Sequence, residues 1–145
     1  MSKCIFDCVQ GGNMMQIENG HEQYSEQVRN FAERWSAAME QIAMDKTYRA
    51  LAEFLTGDAF AEECRFLGFE MDSGYSFDKL YGVDFFWEKE ESLESLFAKV
   101  SDLKVLGNEI FSQWRYLNHW AFDALSQYHI EWFKAAFRRL KELAG

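Results

Sequence analysis

An all-α fold, a single-domain bundle of about five to seven helices, is predicted by three observations on this 145-residue chain. There is no proline at all, where average usage would supply about seven. Helix interiors exclude proline because it lacks an N–H and clashes one turn back, whereas strand-and-turn folds use it freely. Apolar residues recur at steps of three and four, which stack on one helical face. The third observation is richness in aromatic side chains, 14 Phe, 6 Tyr and 5 Trp, which supplies enough apolar surface to offset ordering entropy in one domain.

The elements follow in order. Residues 1–20 hold Gly11, Gly12 and Gly20 with little periodicity and are expected to form a flexible N-terminal arm, leaving 21–145 as the helical domain. Tyr24, Val28, Phe31, Trp35, Ala38, Met39 and Ile42 make the stripe of a long first helix over 22–44, with Glu22, Glu26, Arg29, Glu33 and Glu40 opposite. Asp45 offers an N-cap to a second helix carrying Tyr48, Leu51, Ala52 and Leu55, and Gly57 stops it. Asp58 is the expected cap of a third, with Phe60, Cys64 and Leu67 inward and Gly68 closing it. An irregular stretch is expected near 68–87, interrupted by one short turn from Ser76 or Asp78 to Tyr81. Ser92 caps a helix with Leu93, Leu96, Phe97 and Val100 buried. Asp102 begins a central helix whose stripe is Leu103, Leu106, Ile110, Trp114, Leu117 and Ala121. Gly107 within it is expected to admit another helix at close range. Ser126 caps a last helix with Ile130, Phe133, Phe137 and Leu140 inward and Arg138, Arg139 and Lys141 near its negative end.

The formal net charge of −9 is concentrated. Residues 1–57 carry −3, residues 58–102 carry −8 and residues 103–145 carry +2. Such a negative block repels phosphates and steers encounter with basic proteins. Direct nucleic-acid binding is therefore not expected, and no apolar run approaches the ~18 residues of a membrane span. Residues 1–12 lack the pattern of a secretory signal, so a cytoplasmic location is expected, with Cys4, Cys8 and Cys64 as free thiols. Homodimerisation through the first helix stays open.

Two constellations are candidate sites. Asp84, Phe86, Trp87, Glu88, Glu90, Glu91 and Glu94 combine apolar anchors with carboxylates, the composition of a protein-docking surface. They point to a binding or inhibitor protein acting on a basic partner, with a nucleic-acid enzyme as one class, its phosphate sites met by carboxylates. An inhibitor of the kind phages and mobile elements carry, anti-CRISPR-like, matches that size and charge; so does a toxin-neutralising immunity protein. Asn108, Ser112, Arg115 and His119 recur at steps of four, three and four on one helix. With Glu70 and Asp72 from the irregular stretch, they are candidates for a polar pocket in a small-molecule-binding protein or enzyme. The same residues also describe, and more commonly would form, an inward polar seam in which Arg115 pairs with an acid of 70–84. No phosphate-binding glycine loop, G-x-S-x-G or His-Glu-x-x-His string occurs, and neither a cofactor nor a metal site is expected.

The strings Leu67-Gly68-Phe69-Glu70-Met71-Asp72 and Leu106-Gly107-x-x-Ile110-Phe111-Ser112-Gln113-Trp114-Arg115-Tyr116-x-x-His119-Trp120 resemble an uncharacterised family of small acidic proteins from clostridia-like bacteria, over roughly 46–143. The resemblance implies no activity. It implies only that the two segments belong together, with Glu70 or Asp72 as candidates to meet Arg115.

Overall fold

The computed structural model describes residues 13–45, 49–71, 75–82, 92–120 and 127–145, with the backbone alone for 13–19, 75, 119, 120 and 127. Among them are seven helices and no strand: α1 Asn13–Met44, α2 Arg49–Thr56, α3 Ala59–Phe66, α4 Tyr75–Tyr81, α5 Leu93–Phe97, α6 Leu103–Trp120 and α7 Gln127–Ala144. The fold is an all-α bundle. α1 packs chiefly along α7, and α6 is central, touched by α7, α2, α4 and α3.

α1 starts earlier than its stripe suggests, so residues 13–20 of the expected arm are helical. Nothing in that stretch forbids it: Gly20 costs up to ~1 kcal/mol relative to Ala, and proline is absent. Residues 1–12, with Cys4 and Cys8, lie outside the described residues, as do Ser126 and Val83–Trp87.

The caps divide into those the side chains make and those they do not. Ser92 sits in extended backbone and its Oγ accepts from the Ser95 N–H (3.1 Å), as an N-cap should. Asp102 Oδ1 accepts from Val105 N–H (3.0 Å) at the start of α6. Asp45 Oδ2 accepts from Ala50 N–H (2.7 Å) in the first turn of α2. Asp58 makes no such bond, because its backbone is already helical (φ −87°, ψ −13°) and turns the carboxylate away from the first-turn amides.

Several helix ends are instead closed by side chains from other elements. Trp114 Nε1 donates to the Phe54 carbonyl (2.7 Å) and Asn118 Nδ2 to the Leu55 carbonyl, both in the last turn of α2. Tyr24 Oη donates to the Leu67 carbonyl (2.7 Å) after α3. The Tyr81 hydroxyl accepts from Ser101 and Asp102 N–H (3.1 and 3.2 Å) ahead of α6. Arg139 Nε donates to the Val100 carbonyl (2.9 Å) beyond α5, and Arg29 Nη1 to the Ala144 carbonyl (3.3 Å) at the end of α7. These groups answer the orphaned amides and carbonyls that every helix leaves at its ends.

Phe60 is the hub of the core. Its ring lies within 5.1–5.5 Å of the rings of Trp35, Phe54, Trp114 and Phe31, in tilted or edge-on geometries that favour aromatic pairs by ~0.5–1.5 kcal/mol each beyond area burial. α3 ends in a left-handed Gly68 (φ +83°), with Phe69 N–H bonded to the Cys64 carbonyl (2.9 Å) and Gly68 N–H to the Arg65 carbonyl (3.0 Å). This Schellman turn reverses the chain and drives Phe69 into the core. Phe69 explains Gly107: a Cβ there would meet three atoms of its ring at 2.3–2.5 Å. The close neighbour of Gly107 is thus a ring from the turn after α3, not another helix.

Candidate functional site

Of the expected docking segment, Asp84, Phe86, Trp87, Glu88, Glu90 and Glu91 lie outside the described residues. Glu94 stands in the first turn of α5, where its Oε2 pairs with Arg138 Nη1 of α7 (2.7 Å).

The stripe on α6 does not form one pocket. Asn108 is half-buried, and its Oδ1 accepts from the Glu70 N–H (2.7 Å). Ser112 is buried, whereas Arg115 is exposed and makes no ion pair among the described residues. The expectation of a buried Arg115 is therefore corrected, and Glu70 meets α6 through its backbone rather than its carboxylate; a pairing of Arg115 with Asp72 or Asp84 falls outside the described residues. The physical reason is facing: Trp114 and Leu117 to either side turn into the core, while Arg115 and Tyr116 lie on the side of α6 that other helices leave uncovered at this turn. Asp72 and the His119 side chain lie outside what is described. The two strings do meet, through Phe69 at Gly107 and Glu70 at Asn108.

Three working residues were not foreseen. Trp114 reads as core, and its indole N–H, which needs an acceptor once buried, is what holds α2. Asn118 does the same one turn on. Glu109 is 2% exposed, and its Oε2 accepts from Gln113 Nε2 (2.9 Å). The i, i+4 spacing of Glu109 and Gln113 is the sequence signal that could have revealed that pair.

Charge is arranged asymmetrically. Lys134 pairs with Glu40 (2.9 Å), Lys141 with Glu33 (2.6 Å), Arg139 with Glu142 (2.9 Å) and Arg34 with Glu63. The Lys141 hydrogen bond holds the Glu33 carboxyl below its ordinary range, and the Glu40 hydrogen bond raises Lys134. Burial pushes the Cys64 thiol up, and the side chain is fully enclosed, the setting of a structural rather than a reactive thiol. By contrast Glu53, Asp58 and Glu62, along the edge that α2 and α3 form, have no ion pair among the described residues.

That edge borders a groove of about 740 Å³ between the C-terminal half of α1 and α2. Trp35 and Phe54 line it, Ala38, Ala50 and Ala59 leave room above them, and Asp45, Arg49 and Glu53 stand at its rim. Met44 at its end is 67% exposed. A smaller groove of about 310 Å³ continues along α1 past Phe31 to Phe66, itself 73% exposed. Between the two, Glu63 Oε1 accepts from both Arg34 and Trp35 Nε1 (3.0 Å), tying α1 to α3.

Among the described residues no group of three His, Cys, Asp or Glu is placed to hold a metal ion, and no helix is long and apolar enough to cross a membrane. The site thus defines an all-α bundle with an acidic edge beside an aromatic-floored groove. Comparison with protein-family models, curated proteins and solved structures finds no match.

Proposed function

We propose that this chain is an interaction protein whose acidic surface engages a basic protein partner. The observation that carries the reading is the division of charge: the cations of α7 are engaged in surface ion pairs with acids of α1, α5 and α7 itself, while Glu53, Asp58 and Glu62 are not ion-paired among the described residues. Solvent-facing carboxylates left without counter-charges sum to a field that accelerates encounter with cationic surfaces and repels nucleic acid. The −8 block over 58–102 adds the acids Asp84, Glu88, Glu90 and Glu91 to that field, with Glu94, paired to Arg138, at its border. A nucleic-acid-processing enzyme is the natural basic partner, since its phosphate-binding face matches carboxylates in charge, and an inhibitor of the type carried by phages or mobile elements would act that way. The class is an analogy of size and charge. The test is binding to a panel of purified basic nucleic-acid enzymes at low and high salt. Affinity should fall with ionic strength and fall again when Asp84, Glu88, Glu90, Glu91 and Glu94 are changed to their amides. Binding indifferent to both would refute the reading.

A further inference from the structure

We infer that the groove between α1 and α2 is the seat of a cationic amphipathic helix presented by a protein partner. The inference rests on the acidic-surface reading and adds to it a place and a chemistry. The groove follows α1 from Trp35 to Met44, about 14 Å at 1.5 Å per residue, which is two to three turns of a docked helix. Its floor is two aromatic rings, and small side chains above them leave room for a branched apolar anchor. Met44 is a flexible, polarisable flank suited to a surface that repacks around its ligand. Charge selects the occupant: the rim carries two carboxylates, Asp45 and Glu53, against one cation, Arg49, and Asp58 beside the lining Ala59 has no ion pair among the described residues, so the polar face of the incoming helix should carry Lys or Arg.

The experiment uses the full chain and a labelled peptide with leucines at i, i+3, i+4 and i+7 and lysines elsewhere. A glutamate-for-lysine counterpart and a leucine-free lysine peptide are the controls. Fluorescence anisotropy should show binding by the leucine–lysine peptide above both controls, and the Met44 methyl resonance should move while that of Met71 stays. Met44→Lys, at an exposed position that leaves the core alone, and Ala38→Arg should each weaken it about tenfold or more, with unchanged circular dichroism. If the leucine–lysine peptide binds both variants as well as the parent, the groove is not the seat, although the acidic-surface reading stands. If no cationic peptide binds even at low salt, both readings fall. If sedimentation shows a dimer that Met44→Lys dissolves, the occupant is a second copy of this chain and the inference is overturned.

Discussion

Replacing Gly107 by alanine tests the packing of the bundle at its tightest point. On helix propensity alone the change should stabilise α6 by up to ~1 kcal/mol. The added methyl would lie 2.3–2.5 Å from Cε1, Cδ1 and Cζ of Phe69, where carbon atoms prefer ~3.5–4.0 Å. The ring would have to retreat by more than ~1 Å. It cannot slide freely, because Phe31 packs edge-on to it at 5.9 Å and the Schellman turn fixes its backbone. Overpacking costs ~1–3 kcal/mol. The net expectation is destabilisation of about 1–2 kcal/mol, or roughly 3–8 °C in Tm for a domain this size. A companion measurement removes ambiguity. In a Phe69→Ala background, itself about 3–5 kcal/mol less stable, the obstacle is gone and Gly107→Ala should become stabilising. Urea unfolding of the four proteins gives the cycle. A Gly107→Ala change that stabilises the parent, or that has the same sign in both backgrounds, would refute the argument.

Trp114→Phe keeps an aromatic ring but removes the indole N–H that the Phe54 carbonyl accepts from, and the smaller phenyl fills less of the core, so stability should drop by about 1–3 kcal/mol; a loss under half a kcal/mol in chemical denaturation would mean another donor takes over. Acid should weaken the fold in two stages. Burial lowers the His129 pKa, so the unfolded chain takes up the proton first and stability falls as pH drops below the ordinary value of 6.5. Glu33, held low by Lys141, contributes above its ordinary value of 4.5 and loses that contribution as pH falls through its folded value. His129→Gln should flatten the first stage and Glu33→Gln the second, in melts taken across pH. The Cys64 thiol, enclosed and pushed up in pKa, should resist alkylation in the native protein and react once urea unfolds it; peptide mapping separates it from Cys4 and Cys8. Glu94→Gln breaks only an exposed pair with Arg138 and should cost under ~1 kcal/mol, less at high salt.

Periodicity carried the fold because burial and helical phase are the same fact. Val28, Phe31 and Met39 of the first stripe, and Leu106, Ile110 and Leu117 of the central one, are all buried. Local chemistry succeeded where one residue decides, as at Ser92. It failed at Asp58, where the preceding chain holds the backbone helical, and the start of α1 was missed because permissive sequence leaves no mark. At Gly107 the need for space was legible but not what fills it, because Phe69 arrives from 38 positions away. The candidate site was less legible still. Arg115 and Ser112 share a helical face yet differ in burial, since cover by neighbouring helices varies along an axis that periodicity does not measure. The α1–α2 groove exists only once two helices are set side by side.

The side chains that close the helix ends reach far along the chain: Tyr24 spans 43 residues to Leu67, Trp114 spans 60 to Phe54, Asn118 spans 63 to Leu55 and Arg29 spans 115 to Ala144. α2 and α3, at eight residues each, are too short to persist alone in water. Their termini are therefore finished only when the whole topology is in place, and fraying, which ordinarily opens a helix from its end, is tied to loss of the tertiary structure. The seven helices should accordingly open as one cooperative unit, with the last amides of α2 exchanging as slowly as the core rather than as surface turns do. A chain without proline stops still has defined ends, but they belong to the fold and not to the helices.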